Sequence, residues 1–253
     1  MDRLSKAVFS AVCASIKHSR AFVTRNGKFA HDVSQHAGPM KRYSQVAAYI
    51  LAGGASSRMG REKGLLEIGG EPLIIRTARL VEPLVTEVTF VGPAERYSAL
   101  GLRAIADQPL RGREGLQVVR TPLAGIATAL NATKMPWNLI LACDLPYLTA
   151  PWLDWLLARA IDSEAQIVMP RTSRGLEPLT AVYRSECAAP IVAALDRGVR
   201  KVTDAMAEFR TEQLLESNWQ VHEPHGRALK NMNTLSDYED AKQFLEREFS
   251  PLE

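Results

Sequence analysis

Residues 46–64 read VAAYILAGGASSRMGREKG, an apolar run that passes directly into a glycine-rich stretch. The run Val46–Leu51 predicts a buried strand that ends at Gly53-Gly54. Glycines after a strand allow backbone N–H groups to approach phosphate oxygens without interference from a Cβ atom. Arg58 and Lys63 add positive charge to the same stretch. Paired glycines also form plain strand-to-helix turns, but the added cations and serines favour a phosphate-binding loop.

Two common nucleotide-binding signatures are absent from this stretch. It matches neither GxxxxGK[ST] nor GxGxxG. The acidic residue expected about 20 positions after a dinucleotide-binding loop is also missing. A dinucleotide-dependent oxidoreductase is therefore disfavoured, and failure to bind a nicotinamide cofactor would exclude it.

Strands and amphipathic helices alternate along the rest of the chain. Strands are predicted at Glu87–Val91, Leu102–Ala106, Asn138–Ala142, Gln166–Met169 and Leu179–Tyr183. Helices are predicted at Leu73–Val81, Leu123–Leu130, Pro151–Ala160, Pro190–Leu195 and Ser236–Glu248, and a Gly/Arg-rich loop at Arg111–Gly115. Such alternation is typical of an α/β protein with a mostly parallel sheet covered by helices on both faces. Ligands of these sheets bind beyond the carboxyl ends of the strands.

Several functional candidates come directly after a predicted strand. Asp144 follows an apolar strand, so its carboxylate should face the ligand crevice. Mg²⁺ prefers one or two carboxylates together with phosphate oxygens and water. Asp107 occupies a comparable position, and Gly92 ends the strand before it. Each aspartate could instead cap a helix or stabilise a turn.

Composition and charge limit the classes of function. The chain has 253 residues, of which 46% are hydrophobic, and a net charge of +3. This charge is too small to indicate a nucleic-acid-coating protein. The three cysteines form no CxxC pair, which favours a reducing compartment. No apolar run reaches the roughly 18 residues of a membrane span. We therefore expect a cytoplasmic protein that associates with neither membrane nor nucleic acid.

The first 42 residues differ from the remainder. They are basic, and their second half lacks helical or strand periodicity. We interpret residues 1–42 as a flexible extension, or as the result of a start assigned too far upstream, with Met40 as the true start. Residues 43–253 are predicted to form the functional domain.

Five motifs in order resemble one family of enzymes. LAGGASSRMGREKGLL, beginning at Leu51, resembles the signature of nucleotidyltransferases that activate phosphorylated substrates with nucleoside triphosphates. The similarity is greatest to molybdenum cofactor guanylyltransferases of the MobA type. The other four motifs are Thr-Pro-Leu-Ala-Gly (121–125), Ala-Cys-Asp-Leu-Pro-Tyr (142–147), Glu-Pro-Leu (177–179) and Asn-Met-Asn-Thr (231–234).

The resemblance implies a fold and a reaction. The fold is a three-layer, Rossmann-like nucleotidyltransferase fold. The reaction transfers GMP from GTP to the terminal phosphate of molybdopterin, with Mg²⁺ as cofactor and pyrophosphate as by-product. Proteins that deliver the cofactor or mature molybdoenzymes would be partners. A cytidylyltransferase, a sugar-phosphate nucleotidyltransferase and a non-catalytic adaptor remain alternatives. The LAGG start favours the guanylyl type, because cytidylyl relatives more often read LAAG.

The resemblance also assigns roles to individual residues. The catalytic candidates are Lys63, Arg58 and Asp144, and Asp144 is also the metal ligand. The nucleotide-binding candidates are Leu51, Ala52, Gly53, Gly54, Lys63, Asp107, Pro122, Leu123, Gly125 and Asp144. Thr121 stands where the family usually has glycine, and residues 91–94 lack the family's amide side chain near the base.

Four further residues are candidates for binding the acceptor substrate: Asn231, Asn233, Arg200 and Lys201. The asparagines alternate along an extended segment, so their side chains should share a face. The same segment could serve as a turn in which Thr234 or Ser236 caps the last helix. The two basic residues could belong to a solvated surface patch.

Overall fold

The computed structural model describes residues 41–52, 63–108, 110–112, 115–117, 121–223 and 225–249. The proposed N-terminal extension lies almost entirely outside this part of the chain. Most of the glycine-rich stretch, including Gly53, Gly54 and Arg58, also lies outside the described residues.

The described elements alternate in type along the chain. The strands are β1 (Tyr43–Leu51), β2 (Glu67–Ile68), β3 (Glu71–Pro72), β4 (Val85–Val91), β5 (Ala104–Ile105), β6 (Leu110–Gly112), β7 (Gly115–Gln117), β8 (Trp137–Ala142), β9 (Ile167–Thr172), β10 (Gly175–Leu176), β11 (Thr180–Arg184) and β12 (Thr211–Leu214). The helices are α1 (Leu73–Val81), α2 (Ala94–Ser98), α3 (Pro122–Ala132), α4 (Ala150–Ile161), α5 (Ala188–Asp196), α6 (Val202–Met206), α7 (Glu216–Trp219) and α8 (Leu235–Phe249).

The main sheet is mostly parallel, as the alternation of strands and helices predicts. Its order within the described residues is β10-β9-β11-β8-β1-β4-β5, and β12 pairs with β9. Strands β5, β4, β1 and β8 are parallel neighbours. β11 runs antiparallel to both β8 and β9, so β9 and its parallel partner β12 have the direction of β8. The amino end of β11 therefore lies at the same edge as the carboxyl ends of the parallel strands.

Strand β1 divides the molecule into layers because both of its faces are buried. Val46, Ala48 and Ile50 belong to one apolar cluster, which includes side chains from α1 and α4. Tyr49 and Leu51 point to the opposite side and join a second cluster with α3 and α5. This alternation follows from the two-residue period of a strand. The predicted three-layer α/β fold is confirmed.

A third, smaller cluster joins α8 to the hairpin formed by β2 and β3. Its buried members include Ile68, Met232 and Leu245. The Tyr238 hydroxyl donates a hydrogen bond to the Glu67 carbonyl over 2.8 Å. The C-terminal helix is therefore docked against the segment that follows the glycine-rich stretch. No helix in the described part of the chain is long and apolar enough to cross a membrane.

One predicted loop is wrong. The segment Arg111–Gly115 was expected to be irregular, but β6 and β7 pair antiparallel, with Leu110 opposite Gln117. Each strand has only three residues. Strands this short contain too few residues to show a two-residue period, and their glycines and arginine favour a loop prediction.

Candidate active site

The parallel strands end at the same level, which brings the candidate site residues to one edge of the sheet. Leu51 is in register with Val91 on one side and with Ala142 on the other. Val91 is in register with Ile105. The residues that follow these strand ends are Ala52, Gly92, Asp107 and Asp144. The structure therefore brings together Gly92, Asp107 and Asp144, three of the positions that the sequence pattern placed at strand ends; the fourth, Gly53, lies outside the described residues.

Backbone and side-chain hydrogen bonds fix the exit of β1. The Ala52 N–H donates to the Val91 carbonyl over 2.9 Å, and the Cys143 N–H donates to the Leu51 carbonyl over 3.2 Å. The buried Tyr97 hydroxyl donates to the Ala52 carbonyl over 3.0 Å. Both backbone polar groups of Ala52 are therefore used just before the glycine-rich stretch.

A short 3₁₀ turn, Lys63–Leu65, lies beside the end of β8. A Cβ atom built on Gly64 would lie 3.5 Å from the Ile74 Cβ and 3.8 Å from the Cys143 Cβ. The turn thus packs beside the residue that precedes Asp144. The side chain of Lys63 itself does not belong to the described part of the structure.

The asparagine segment lies directly against Asp144. The Met232 N–H donates to the backbone carbonyl of Asp144 over 2.9 Å. Met232 is 1% exposed, whereas Asn231 is half-buried and Asn233 is exposed. This alternation anchors the segment through Met232 and is consistent with both asparagines facing away from the core.

Thr234, rather than Ser236, caps the final helix. The Asp237 N–H donates to Thr234 Oγ1 over 3.1 Å. In return, Asp237 Oδ2 accepts hydrogen bonds from the Asn233 N–H, the Thr234 N–H and the Thr234 hydroxyl. The Thr234 hydroxyl hydrogen bond contributes most to lowering the pKa of Asp237 below its ordinary value, and backbone hydrogen bonds add to it. Ser236 lies within the first turn, so of the two predicted caps the structure shows Thr234.

A second anchor holds the chain just before the asparagines. Arg174, between β9 and β10, donates through Nη2 to the Leu229 carbonyl over 2.9 Å. The same nitrogen lies 3.5 Å from Glu177 Oε1, which also accepts a 3.0 Å hydrogen bond from the Thr172 hydroxyl. Burial raises the pKa of Glu177, and its hydrogen bond from Thr172 partly opposes this. The Glu-Pro-Leu motif thus belongs to the support of the asparagine segment.

Helix α3 begins beside the carboxyl ends of β1 and β5. Thr121 is its N-cap, and its Oγ1 accepts a hydrogen bond from the Ala124 N–H over 3.2 Å. Pro122 occupies the first turn, where the absence of an N–H group is tolerated. The Gln108 N–H donates to Thr128 Oγ1 over 3.0 Å. This bond ties the segment carrying Asp107 to α3, close to the predicted nucleotide-binding residues Pro122, Leu123 and Gly125.

Arg200 and Lys201 follow helix α5. Arg200 Nη1 donates to the carbonyls of Leu195 and Val199, over 2.8 and 2.9 Å. Lys201 Nζ lies 4.0 Å from the carboxylate of Asp204. Arg200 thereby stabilises the C-terminal end of α5, where carbonyl groups lack helical partners. Acceptor binding by these two residues stays a prediction.

Three supporting residues were not identified from the sequence: Tyr97, Arg174 and Asp237. Asp237 could have been identified from the sequence, because Thr234-Leu-Ser-Asp237 has the spacing of a capping box. A buried tyrosine generally needs a hydrogen-bond partner, but sequence alone does not identify that partner. The contact of Arg174 depends on segments far apart in the chain and has no local pattern.

The fold and the strand-end site define an α/β protein whose ligand is expected at the carboxyl ends of the parallel strands. The family model of the MobA-like NTP transferase domain matches residues 48–211, and the chain belongs to that family. The probable molybdenum cofactor guanylyltransferase of Synechococcus elongatus is 33% identical over 201 residues, which cover 76% of this chain and 96% of that protein. A protein with the same description from Pelotomaculum thermopropionicum is 32% identical over 203 residues, covering 80% and 94%.

Solved structures show the same fold. The molybdopterin-guanine dinucleotide biosynthesis protein A of Archaeoglobus fulgidus has a TM-score of 0.68 at 20% identity, covering 79% of this chain and 99% of that one. A CMP:2-keto-3-deoxy-manno-octonic acid synthetase complexed with CTP has a TM-score of 0.59 at 13% identity, covering 81% and 100%. At these identities the similarity concerns the fold alone.

Proposed function

We propose that this protein transfers GMP from GTP to the terminal phosphate of molybdopterin, forming the guanine dinucleotide cofactor and pyrophosphate. The similarity to molybdenum cofactor guanylyltransferases over most of the chain supports this reaction. The structural observation that carries the proposal is the hydrogen bond between Met232 and Asp144. It joins the nucleotide-side edge of the sheet to the segment predicted to contact the acceptor.

The reaction needs alignment more than proton removal. An oxygen of the acceptor phosphate attacks the α-phosphorus of GTP, and a new P–O–P bond forms. The bond between the α-phosphorus and the oxygen that bridges it to the β-phosphorus breaks, and pyrophosphate leaves with that electron pair. A phosphate is already anionic near neutral pH, so the protein needs no strong general base. Catalysis then depends on positioning and on neutralising charge.

The chain supplies residues for each part of this task. The backbone after Ala52, with Arg58 and Lys63, would hold the triphosphate and stabilise the departing pyrophosphate. Asn231 and Asn233 would orient the acceptor next to it. In-line attack requires that these two sets of residues hold the nucleophile and the leaving group on opposite sides of the α-phosphorus.

The donor set at Asp144 is compatible with Mg²⁺. Among the described residues, no group of three or more His, Cys, Asp or Glu side chains could hold a metal ion. Mg²⁺ does not require one, because it commonly binds one or two carboxylates together with phosphate oxygens and water. Asp144 would hold the ion, which would neutralise charge on the triphosphate when bound.

A pyrophosphate-release assay tests the proposed reaction. The full chain is incubated with Mg²⁺ and each of the four ribonucleoside triphosphates, with and without molybdopterin. We expect release only with GTP and molybdopterin together. Release with CTP instead would overturn the guanylyl assignment, and release with none of the four would overturn nucleotidyl transfer itself.

Substitution of the two central residues tests their catalytic roles. We expect Asp144→Ala and Lys63→Ala each to lower kcat by about 100-fold or more, because each removes charge stabilisation in the transition state. Asp162→Asn and Lys134→Ala remove like charges at exposed positions and should retain wild-type rates. Thermal unfolding of all four variants checks that the fold is kept. Wild-type turnover in a folded Asp144→Ala or Lys63→Ala variant would contradict the assigned role.

A further inference from the structure

Tyr97 lies outside every motif that carries the family resemblance, yet it contacts the start of the predicted phosphate-binding loop. It is on the short helix α2 and is fully buried. Its ring packs against Phe90 of β4, with the ring centroids 5.9 Å apart. Its hydroxyl donates to the Ala52 carbonyl over 3.0 Å. A phenylalanine could provide the same ring packing, so the hydroxyl has a separate role.

That role follows from the geometry of the peptide unit. The Ala52 N–H is held by Val91 on the neighbouring strand, and its carbonyl is held by Tyr97. The Tyr97 hydroxyl therefore fixes the direction of the Ala52 carbonyl, at the residue that leads into the glycine-rich stretch. Backbone N–H groups are what such a stretch offers to phosphate oxygens.

We infer that Tyr97 is a positioning residue for the nucleotide: it acts by holding Ala52, a predicted nucleotide-binding residue, in place. This inference rests on the proposed function. It predicts that the hydroxyl affects affinity for the nucleoside triphosphate and leaves affinity for the acceptor unchanged.

Tyr43 provides a matched control, because it lies at the amino end of β1, whereas Ala52 follows the carboxyl end of that strand. It is 4% exposed, and its hydroxyl donates to the Asp154 carbonyl over 3.1 Å and to Asp154 Oδ1 over 3.0 Å. Each of the two substitutions, Tyr43→Phe and Tyr97→Phe, therefore removes a hydroxyl that bonds to a backbone carbonyl. The Tyr43 hydroxyl acts at the amino end of β1, and the Tyr97 hydroxyl acts just after its carboxyl end. Only Tyr97 is at the edge that carries the site.

The experiment compares Tyr97→Phe, Tyr43→Phe and the wild-type full chain. Titration calorimetry measures the Kd for GTP with Mg²⁺ in the absence of acceptor, and steady-state assays measure KM for each substrate. We expect Tyr97→Phe to raise the Kd and KM for GTP by about fivefold, because loss of one hydrogen bond typically changes an equilibrium constant by about this factor. The KM for molybdopterin should not change, and Tyr43→Phe should match the wild type in both.

Two results would overturn the inference: an unchanged Kd for GTP in folded Tyr97→Phe, or an equal increase in Tyr43→Phe. Failure of the proposed function would be recognised separately. In that case the wild type itself would bind another nucleotide in preference to GTP, and the same pair of variants would be compared with that nucleotide.

Discussion

Gly125 shows how the absence of one side chain allows a helix to approach the candidate site closely. It lies in the first turns of α3, and a Cβ atom built there would be 3.3 Å from Leu51 Cδ1. That separation is tighter than an ordinary van der Waals contact. The glycine thus has a packing role next to Leu51, in addition to the nucleotide-binding role predicted for both residues.

Replacement of Gly125 by valine should reveal this close contact. We expect Gly125→Val to lower the free energy of unfolding by about 1–3 kcal/mol, because extra methyl groups must displace Leu51. Urea denaturation measures the change. Asn131→Val is the control: it is on the exposed side of the same helix, and asparagine and valine have similar helix propensity. A loss of equal size in the control would show that a valine anywhere in this helix, and not contact with Leu51, causes the effect.

At the scale of single elements, helix α8 depends on a reciprocal cap. Thr234 and Asp237 satisfy each other's backbone N–H groups, and Asp237 also accepts the Asn233 N–H. The cap therefore fixes the backbone of Asn233, one of the predicted acceptor-binding residues. The Asp237 carboxylate therefore links capping of helix α8 to the position of the Asn233 backbone.

Asp237→Ala should cost about 1 kcal/mol of stability at pH 7, the usual size of a lost capping interaction. The native pKa of Asp237 is lowered, so its stabilisation is present above the unfolded-state pKa of about 4 and disappears as the pH falls through the lower native pKa. The difference between wild type and variant in urea denaturation should therefore shrink from pH 7 to about pH 3. Glu239→Ala removes an exposed acid nearby and should show little effect at either pH. A difference independent of pH would contradict the role of the ionised carboxylate.

The elements differ in how well the sequence predicts them. Strands β1 and β8 and helix α4 contain long apolar patterns, and their predicted positions agree with the structure to within a few residues. β12 has the sequence Thr-Glu-Gln-Leu, and only Leu214 is buried, so its pairing with β9 left no apolar pattern to read. The antiparallel direction of β11 was also not predictable, because hydrophobic periodicity does not encode strand direction.

For the site, the sequence predicts which residues follow strands but not what supports them. Asp107 and Asp144 were identified because the end of a strand is a local feature. The contact of Asp144 with Met232 joins segments that are distant in the chain, as does that of Tyr97 with Ala52. These contacts depend on tertiary packing, and the sequence pattern contains no trace of them.

At the scale of the whole molecule, the segment that carries Asn231 and Asn233 is attached to the sheet through the third apolar cluster. Met232 is buried among residues that include Leu73 and Tyr147, while its N–H holds the Asp144 carbonyl. The cluster thereby couples docking of α8 to the position of the asparagines.

Met232→Ala should separate the two halves of the site. We expect it to lower the free energy of unfolding by about 3 kcal/mol, a typical cost of a core cavity. It should also raise the KM for molybdopterin and leave the Kd for GTP unchanged. Leu156→Ala creates a cavity under the sheet, away from the third cluster, and should reduce stability without changing the KM for molybdopterin. Equal KM values in the two variants would contradict the coupling.

Two backbone groups of the segment carrying Asn231 and Asn233 are hydrogen-bonded to other parts of the chain, the Leu229 carbonyl and the Met232 N–H, in addition to the apolar contacts of the Met232 side chain. Backbone hydrogen bonds impose little restriction on side-chain identity. The scaffold therefore tolerates a change of side chain at Asn231 and Asn233 while these two hydrogen bonds keep the segment in place.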